Sequence, residues 1–441
     1  MRRNIPYDLS FVSYRFRYHE NHLMIRPLAL GFVLCLTAAA QDGGLAPELV
    51  LLSRIKTRMA DQLDHLPNYT CLETIARFRA TPRGALKPHD VVRLEIVYSD
   101  RKEWFASPGD ATFTSTQPSS FVGSGFIANG TFALALHNIF VADATAVTWV
   151  AEDPSMGPRA VRYDFRIPAV YKPLEIAVPE GSGTAGEAGS FWMDRDTLNL
   201  LAVETRADEI DPLLPIAETS TRVRFARARI GDREAFLAQS ADQRMLKFDG
   251  ELFFDRVEFT HCRAYQTTSV LRFGSFSDSA TDAPAHPPAA VSGVVPPFLP
   301  VTVLLESPVS DRDAVGTIIR GRTVAELVHK GRVVVPRGSI LTGRIRRLEH
   351  FDANTFAVAL EFTQVEVGGV PVRFFADFTG LDSSKAIRRR LSEKIAIEFG
   401  RESREITLPP LYGVASFFVS GKSFTLPAGF KTMWRTRGLL R

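Results

Sequence analysis

Cysteine is nearly absent from this chain: there are three in 441 residues, Cys35, Cys71 and Cys262. Thiols so few and so far apart exclude a disulfide-dense scaffold and a cysteine-based zinc site. Histidine is as dispersed. After residue 41 it occurs at His65, His89, His137, His261, His286, His329 and His350, with no ligand spacing between them. The chain has no H-E-x-x-H, no G-x-S-x-G and no P-loop. Nothing therefore places an activated nucleophile, a metal or a nucleotide, and neither a catalytic residue nor a cofactor is expected. The segment Gly181-Ser-Gly-Thr-Ala-Gly186 matches G-x-G-x-x-G in letters. It leads through Glu187–Trp192 into a strand pattern rather than a helix, so it reads as a flexible hairpin loop. A surplus of charge is missing too. Removing the five arginines and two acids of residues 1–40 from the chain's 53 basic and 49 acidic residues leaves 48 and 47. A near-neutral body gives no electrostatic case for nucleic acid.

Long apolar runs are absent as well. The run Leu28–Leu36 is too short to span a bilayer. With Arg26 before it and Ala38 and Ala40 after it, the run has the layout of a secretory signal. Residues 1–40 are therefore expected to be a leader, with translation starting at Met24 and the mature chain near Gln41. Val33-Leu34 do not give Cys35 the small residues of a lipobox. Export leaves Cys71 and Cys262 as the pair for a disulfide in an oxidising compartment. A loop of that length would add at most about 4–5 kcal/mol in the chain-entropy account.

What the chain does contain is alternation. Phenylalanine is abundant, 32 against four tryptophans, and much of it alternates with polar residues, as on one-sided sheets. An amphipathic helix is expected over Leu45–Leu66, from Leu45, Leu49, Leu52, Met59 and Leu63, with Pro47 in its first turn. Strands are expected at Cys71–Arg79, Val91–Tyr98, Arg159–Ile167, Gly189–Trp192, Leu200–Ala207, Thr221–Ile230, Glu234–Leu237 and Phe253–Phe273. Ser190–Thr205 reads as a hairpin turning at Asp194–Asn199, where Asp194 and Asp196 cap the turn rather than bind a cation. The stretch Ser277–Pro300 holds six prolines. Proline lacks the N–H of a ladder and breaks helices, so this is an exposed connector. Beyond it, Val301–Ala376 is strand-like again. Val333–Leu341 and Phe424–Thr432 share a strand, Pro-x-Gly, strand device. Ser384–Phe399 is expected to be an amphipathic helix, with Ile387, Leu391 and Ile395 on one face and Arg388-Arg389-Arg390 solvated on the other.

The fold class is thus mainly β with few helices. A β domain spans 41–276, a Pro-rich linker 277–300, and a β-barrel-like domain 301–441 with one helix at 384–399. The first body resembles the lipoprotein-carrier fold of the bacterial periplasm, an antiparallel half-barrel closed by helices. The resemblance lies in the leading helix, the strand run, and Gly189-Ser-Phe-Trp-Met-Asp-Arg-Asp-Thr-Leu198 with Leu200-Leu-Ala-Val-Glu204. The second body resembles the β-barrel domain of the outer-membrane core subunit of type IV secretion channels. That rests on Val315-Gly-Thr-Ile318 and Val335-Pro-Arg-Gly-Ser-Ile-Leu-Thr-Gly-Arg-Ile345. The resemblances imply an exported envelope protein, periplasmic or outer-membrane-associated, that binds or scaffolds. Its partners would be a lipid or other apolar ligand, an envelope protein, or a peripheral membrane surface. Two alternatives remain: a cell-wall or glycan hydrolase, and a purely structural envelope component. If the half-barrel is hollow, Leu94, Ile96, Phe191, Leu201, Val203, Phe225 and Phe253 are expected to line it; if filled, they are its core.

Overall fold

The computed structural model describes residues 45–438 except 100, 111–112, 114, 123–133, 143–144, 172, 179, 232, 266–292, 353, 382–390, 393, 400–401 and 408–412. The leader and most of the Pro-rich stretch lie outside the described residues.

Helix α1, Pro47–Asp64, begins with proline in its first turn, where a missing N–H costs nothing. Ile55, Met59 and Leu63 recur every four residues and are buried. Eleven strands follow in one antiparallel sheet: β1 Tyr69–Ala80, β2 Lys87–Ser99, β3 Lys102–Ala106, β4 Ala146–Glu152, β5 Ala160–Ile167, β6 Leu174–Val178, β7 Gly181–Asp194, β8 Leu200–Asp208, β9 Ile216–Ile230, β10 Arg233–Lys247 and β11 Leu252–Ala264. Their order is β3-β2-β1-β11-β10-β9-β8-β7-β5-β4, with β6 paired to β7. The sheet curls into a half-barrel. Helix α1 and a short helix α2, Leu134–Phe140, supply apolar side chains to the same core as the strands, α2 through Leu136, Ile139 and Phe140. Tyr163 Oη on β5 donates to the Glu48 carbonyl, tying the first turn of α1 to the far side of the sheet.

The Asp194–Asn199 turn is as expected. Asp194 Oδ1 accepts from the backbone N–H of Asp196 and Thr197 and from the Thr197 hydroxyl, so the first aspartate caps the turn. Gly181–Gly186 is not a loop: it is the first half of β7 and pairs with β6 from Gly181 opposite Val178 to Ala185 opposite Leu174. Its glycines carry too little side-chain pattern to signal a strand, and backbone pairing decides the matter.

A second antiparallel sheet follows, in the order Ala376–Leu381, Lys431–Thr436, Pro300–Leu305, Ile318–Thr323, Ile340–Asp352, Thr355–Val367, Val414–Ser420, Leu391–Ser392, with Val370–Arg373 beside Thr355–Val367. The repeated Pro-x-Gly device makes the same turn twice. Ser339 N–H bonds the Pro336 carbonyl and Phe430 N–H the Pro427 carbonyl, with Gly338 at φ +80° and Gly429 at φ +82°. Glycine is what the turn needs, since its third position takes a positive φ. The helix expected over 384–399 is overturned: Leu391–Ser392 and Lys394–Phe399 are strands, the latter paired with Glu402–Thr407. Ile395 and Ile397, two apart, and the partner strand outweigh the helical spacing of Leu391 and Ile395. Residues 384–390, including the arginine triplet, lie outside the described residues. At the end of the Pro-rich stretch, Val295 is buried, its N–H bonds the Arg373 carbonyl, and Phe298 N–H bonds the Thr436 carbonyl.

Candidate functional site

Two regions of the half-barrel are built differently. Strand β1 shows both, because its side chains alternate between faces. Tyr69, Cys71, Glu73, Ile75 and Arg77 are all buried. Along that row the chemistry passes from aromatic to ionic.

At the aromatic end, the last turns of α1 stand over the starts of β1, β8 and β10 and the end of β9. Between them lies a cleft of about 430 Å³. Its floor is apolar, with Met59, Leu63, Leu136, Leu200, Phe225 and Phe236 among the lining residues. Its mouth is polar. On the helix side stand Arg58, Asp61 and His65. Asp61 lies 3.7 Å from Arg58 and 3.2 Å from His65 Nδ1. On the sheet side, the hairpin of β9 and β10 supplies Arg227, Arg233 and Glu234. Arg227 is held at 2.8 Å by Glu234 and lies over the Phe236 ring. The disulfide is close in sequence to this end. Cys71 of β1 is joined to Cys262 of β11, with Cα atoms 4.1 Å apart, where the register shifts between Thr70 and Leu72.

At the ionic end, Arg77 donates from Nε to Asp90 Oδ1 and from Nη2 to Asp90 Oδ2, both at 2.5 Å, with both side chains almost fully buried. Such a fork is the strongest geometry for this pair. Asp255 of β11 lies beside it with Oδ2 lacking a partner among the described residues. Burial, opposed by Arg77 and reinforced by Asp90, pushes its carboxyl up to about 8. Glu73, fully enclosed between this pair and the disulfide, is likewise pushed up to about 8, by burial and then by Glu103. The second sheet meets this end. Glu349, paired with Arg347 at 3.3 Å, comes within range of His89 and Asp90. The ligand atoms of His89, Asp90 and Glu349 lie within 4.8 Å of one another. Two guanidinium groups already neutralise the two carboxylates, so the cluster is an internal ionic seam rather than a cation site. Burial pushes the His89 imidazole down.

The seam is closed by backbone as well. Arg93 N–H bonds the Val315 carbonyl at 2.8 Å and Val315 N–H bonds the Val91 carbonyl at 2.7 Å. Gly316 follows at φ +92°, and a Cβ there would sit 2.3 Å from the Arg93 carbonyl oxygen. Arg344 reaches across to the Pro108 carbonyl at 2.5 Å and to Asp110.

Of the residues expected to line a hollow, Leu94, Ile96, Phe191, Val203 and Phe225 join the main core. Only Phe225 also lines the cleft. Phe253 packs against a separate small cluster around Ile176, Leu214 and Met245. Leu201 is half-buried and belongs to neither cluster. The mouth residues Arg58, Asp61, Arg227, Arg233 and Glu234 were not foreseen. The arginines of β9, at Arg222, Arg224, Arg227 and Arg229, were the available signal.

No family model matches the chain, and no curated protein matches it. Among solved structures it is similar to the crystal structure of a LolA superfamily protein from Nitrosomonas europaea, at 10% identity and a TM-score of 0.27, over 49% of this chain and 94% of that one. The similarity is weak. The likeness of residues 301–376 to secretion-channel barrels gains no support from these comparisons.

Proposed function

We propose that this is an exported envelope protein that takes an apolar or amphiphilic ligand into the cleft beneath α1. The observation that carries the reading is the cleft itself. α1, α2 and the strands pack apolar side chains into the core of the half-barrel, yet one end keeps about 430 Å³ with an apolar floor and a polar mouth. That volume lies within the range of small-molecule sites, roughly 300–1,000 Å³. Export is supported by the Arg26, Leu28–Leu36, Ala38/Ala40 pattern and by the Cys71–Cys262 bridge, since disulfides persist in oxidising compartments. On this reading the ionic seam is structural, holding the 41–276 and 301–441 bodies together while the 277–300 segment connects them.

Purified protein is to be extracted and its lipid analysed by mass spectrometry, then titrated with a fluorescent fatty-acyl probe. Co-purifying amphiphile, or saturable binding abolished by Ala235→Phe, supports the reading. Neither lipid nor saturable binding sinks it and leaves the scaffold. That second reading is favoured by one fact: five of the seven side chains expected to line a hollow are packed in the core. N-terminal sequencing of the secreted protein should start near Gln41, and a mature protein retaining Met24 would remove the export claim.

A further inference from the structure

The cleft mouth is not electrically even. On the helix side, Asp61 is balanced by Arg58, and α1 has no basic residue in its last turn. The carbonyl end of a helix carries partial negative charge, so this side repels an anion. On the hairpin side, the only acid lining the cleft among the described residues is Glu234, already bonded to Arg227. Arg233 also lines the mouth, is exposed, and pairs with no acid among the described residues. Arg229, opposite Glu234 in the β9–β10 register, adds a further cation. Below this rim the wall is Phe225, Leu200, Leu136, Met59 and Leu63. A molecule that satisfied both layers would be apolar along its length and negative at one end. The cleft is at the small end of ligand sites, which suits one chain rather than two.

We propose that the ligand is a single-chain amphiphile with an anionic head, its chain over Met59, Leu136 and Phe225 and its carboxylate or phosphate at Arg233; this rests on the cleft reading above. The guanidinium supplies the donor fork that either oxyanion accepts. Arg227, fixed by Glu234 and stacked on Phe236, forms the adjoining wall.

The test uses the mature chain at 0.15 M salt and displacement of a fluorescent acyl probe. Three competitors of equal chain length are compared: palmitate, a palmitoyl lysophosphatidic acid, and neutral monopalmitoylglycerol. The expected result is that one or both anionic competitors bind about tenfold tighter than the neutral one, the usual gain from a charge-assisted hydrogen bond. Arg233→Gln should erase that advantage and leave the neutral competitor unchanged. The arms separate the two head chemistries. Equal binding of all three, or a preference that survives Arg233→Gln, overturns the head-group assignment while the cleft reading stands. Binding by none of them, with no lipid carried through purification, overturns both. Arg233 is exposed, so its variant should keep the wild-type melting curve and its loss of binding is readable.

Discussion

The two ends of the half-barrel's buried row answer the same problem in opposite ways. At the seam, a second sheet covers the end of the row, and two ion pairs are buried there, Arg77 with Asp90 and Arg347 with Glu349. Beneath α1 the opening is left, and the side chains around it are apolar, with charge held to the rim. A buried ion pair is costly to desolvate and tolerable only when its partners are fixed. Protein partners can be fixed in the sequence. An opening to be filled by something else cannot rely on that, and apolar walls suit it better.

The largest expected effect is at the seam. Asp90→Ala would remove the bidentate carboxylate from the buried Arg77 guanidinium, costing about 3–5 kcal/mol. Urea denaturation reads this as a lower midpoint. Arg77→Met with Asp90→Leu should recover most of the loss, and a double variant as weak as the single would mean that the pair does more than close the seam. Next is the disulfide. Cys71→Ala with Cys262→Ala should cost about 2–4 kcal/mol by removing the constraint on the unfolded chain, and non-reducing peptide mapping of the wild type should recover the two peptides joined.

The third prediction is pH dependence. Glu73 and Asp255 have folded-state pKa values raised to about 8. A raised carboxyl favours the folded state fully only below its unfolded pKa, near 4, and that contribution is lost as pH rises towards 8. The slope is up to about 1.4 kcal/mol per pH unit for each group. The protein should therefore lose stability from pH 5 to pH 8. Glu73→Gln should flatten the loss and raise stability at pH 8 by about 1–2 kcal/mol. A profile unchanged by Glu73→Gln would mean that this carboxyl does not titrate there. The smallest effect on stability belongs to the cleft. Ala235→Phe, at a half-buried position of its wall, should change the unfolding free energy by no more than about 1 kcal/mol, yet block the acyl probe. Loss of both together would place Ala235 in the core rather than at the site.

Much of the fold could be read along the chain. The Met59–Leu63 spacing of α1, the hairpin at Asp194 and the pairing of Cys71 with Cys262 rest on local or compartmental rules that the structure repeats. The seam could not be read. In β1 the face carrying Leu72, Ala76 and Phe78 looks more apolar than the face carrying Glu73 and Arg77, yet the latter is the buried one. Alternation tells that two faces exist, not which is inside, and the partners Asp90 and Glu349 are distant in sequence. Helix α2 escaped notice because seven residues hold barely two turns of periodicity. The cleft mouth is not legible because Arg227 and Arg233 come from two strands and Arg58 and Asp61 from a helix, and only their convergence gives them meaning.

The bridge between β1 and β11 also decides how the molecule bears load. Cys71 and Cys262 are 191 positions apart, near the first and last strands of the half-barrel. A pull on the two ends of the chain would pass from one cysteine to the other through the sulfur atoms. The residues between them would feel no tension, and roughly 650 Å of potential chain extension would stay folded away. Drawn between two attachment points, the bridged strands would behave as a rigid bead on a string, whereas α1, which precedes Cys71, lies outside the bridge, so the helix wall of the cleft would carry the load.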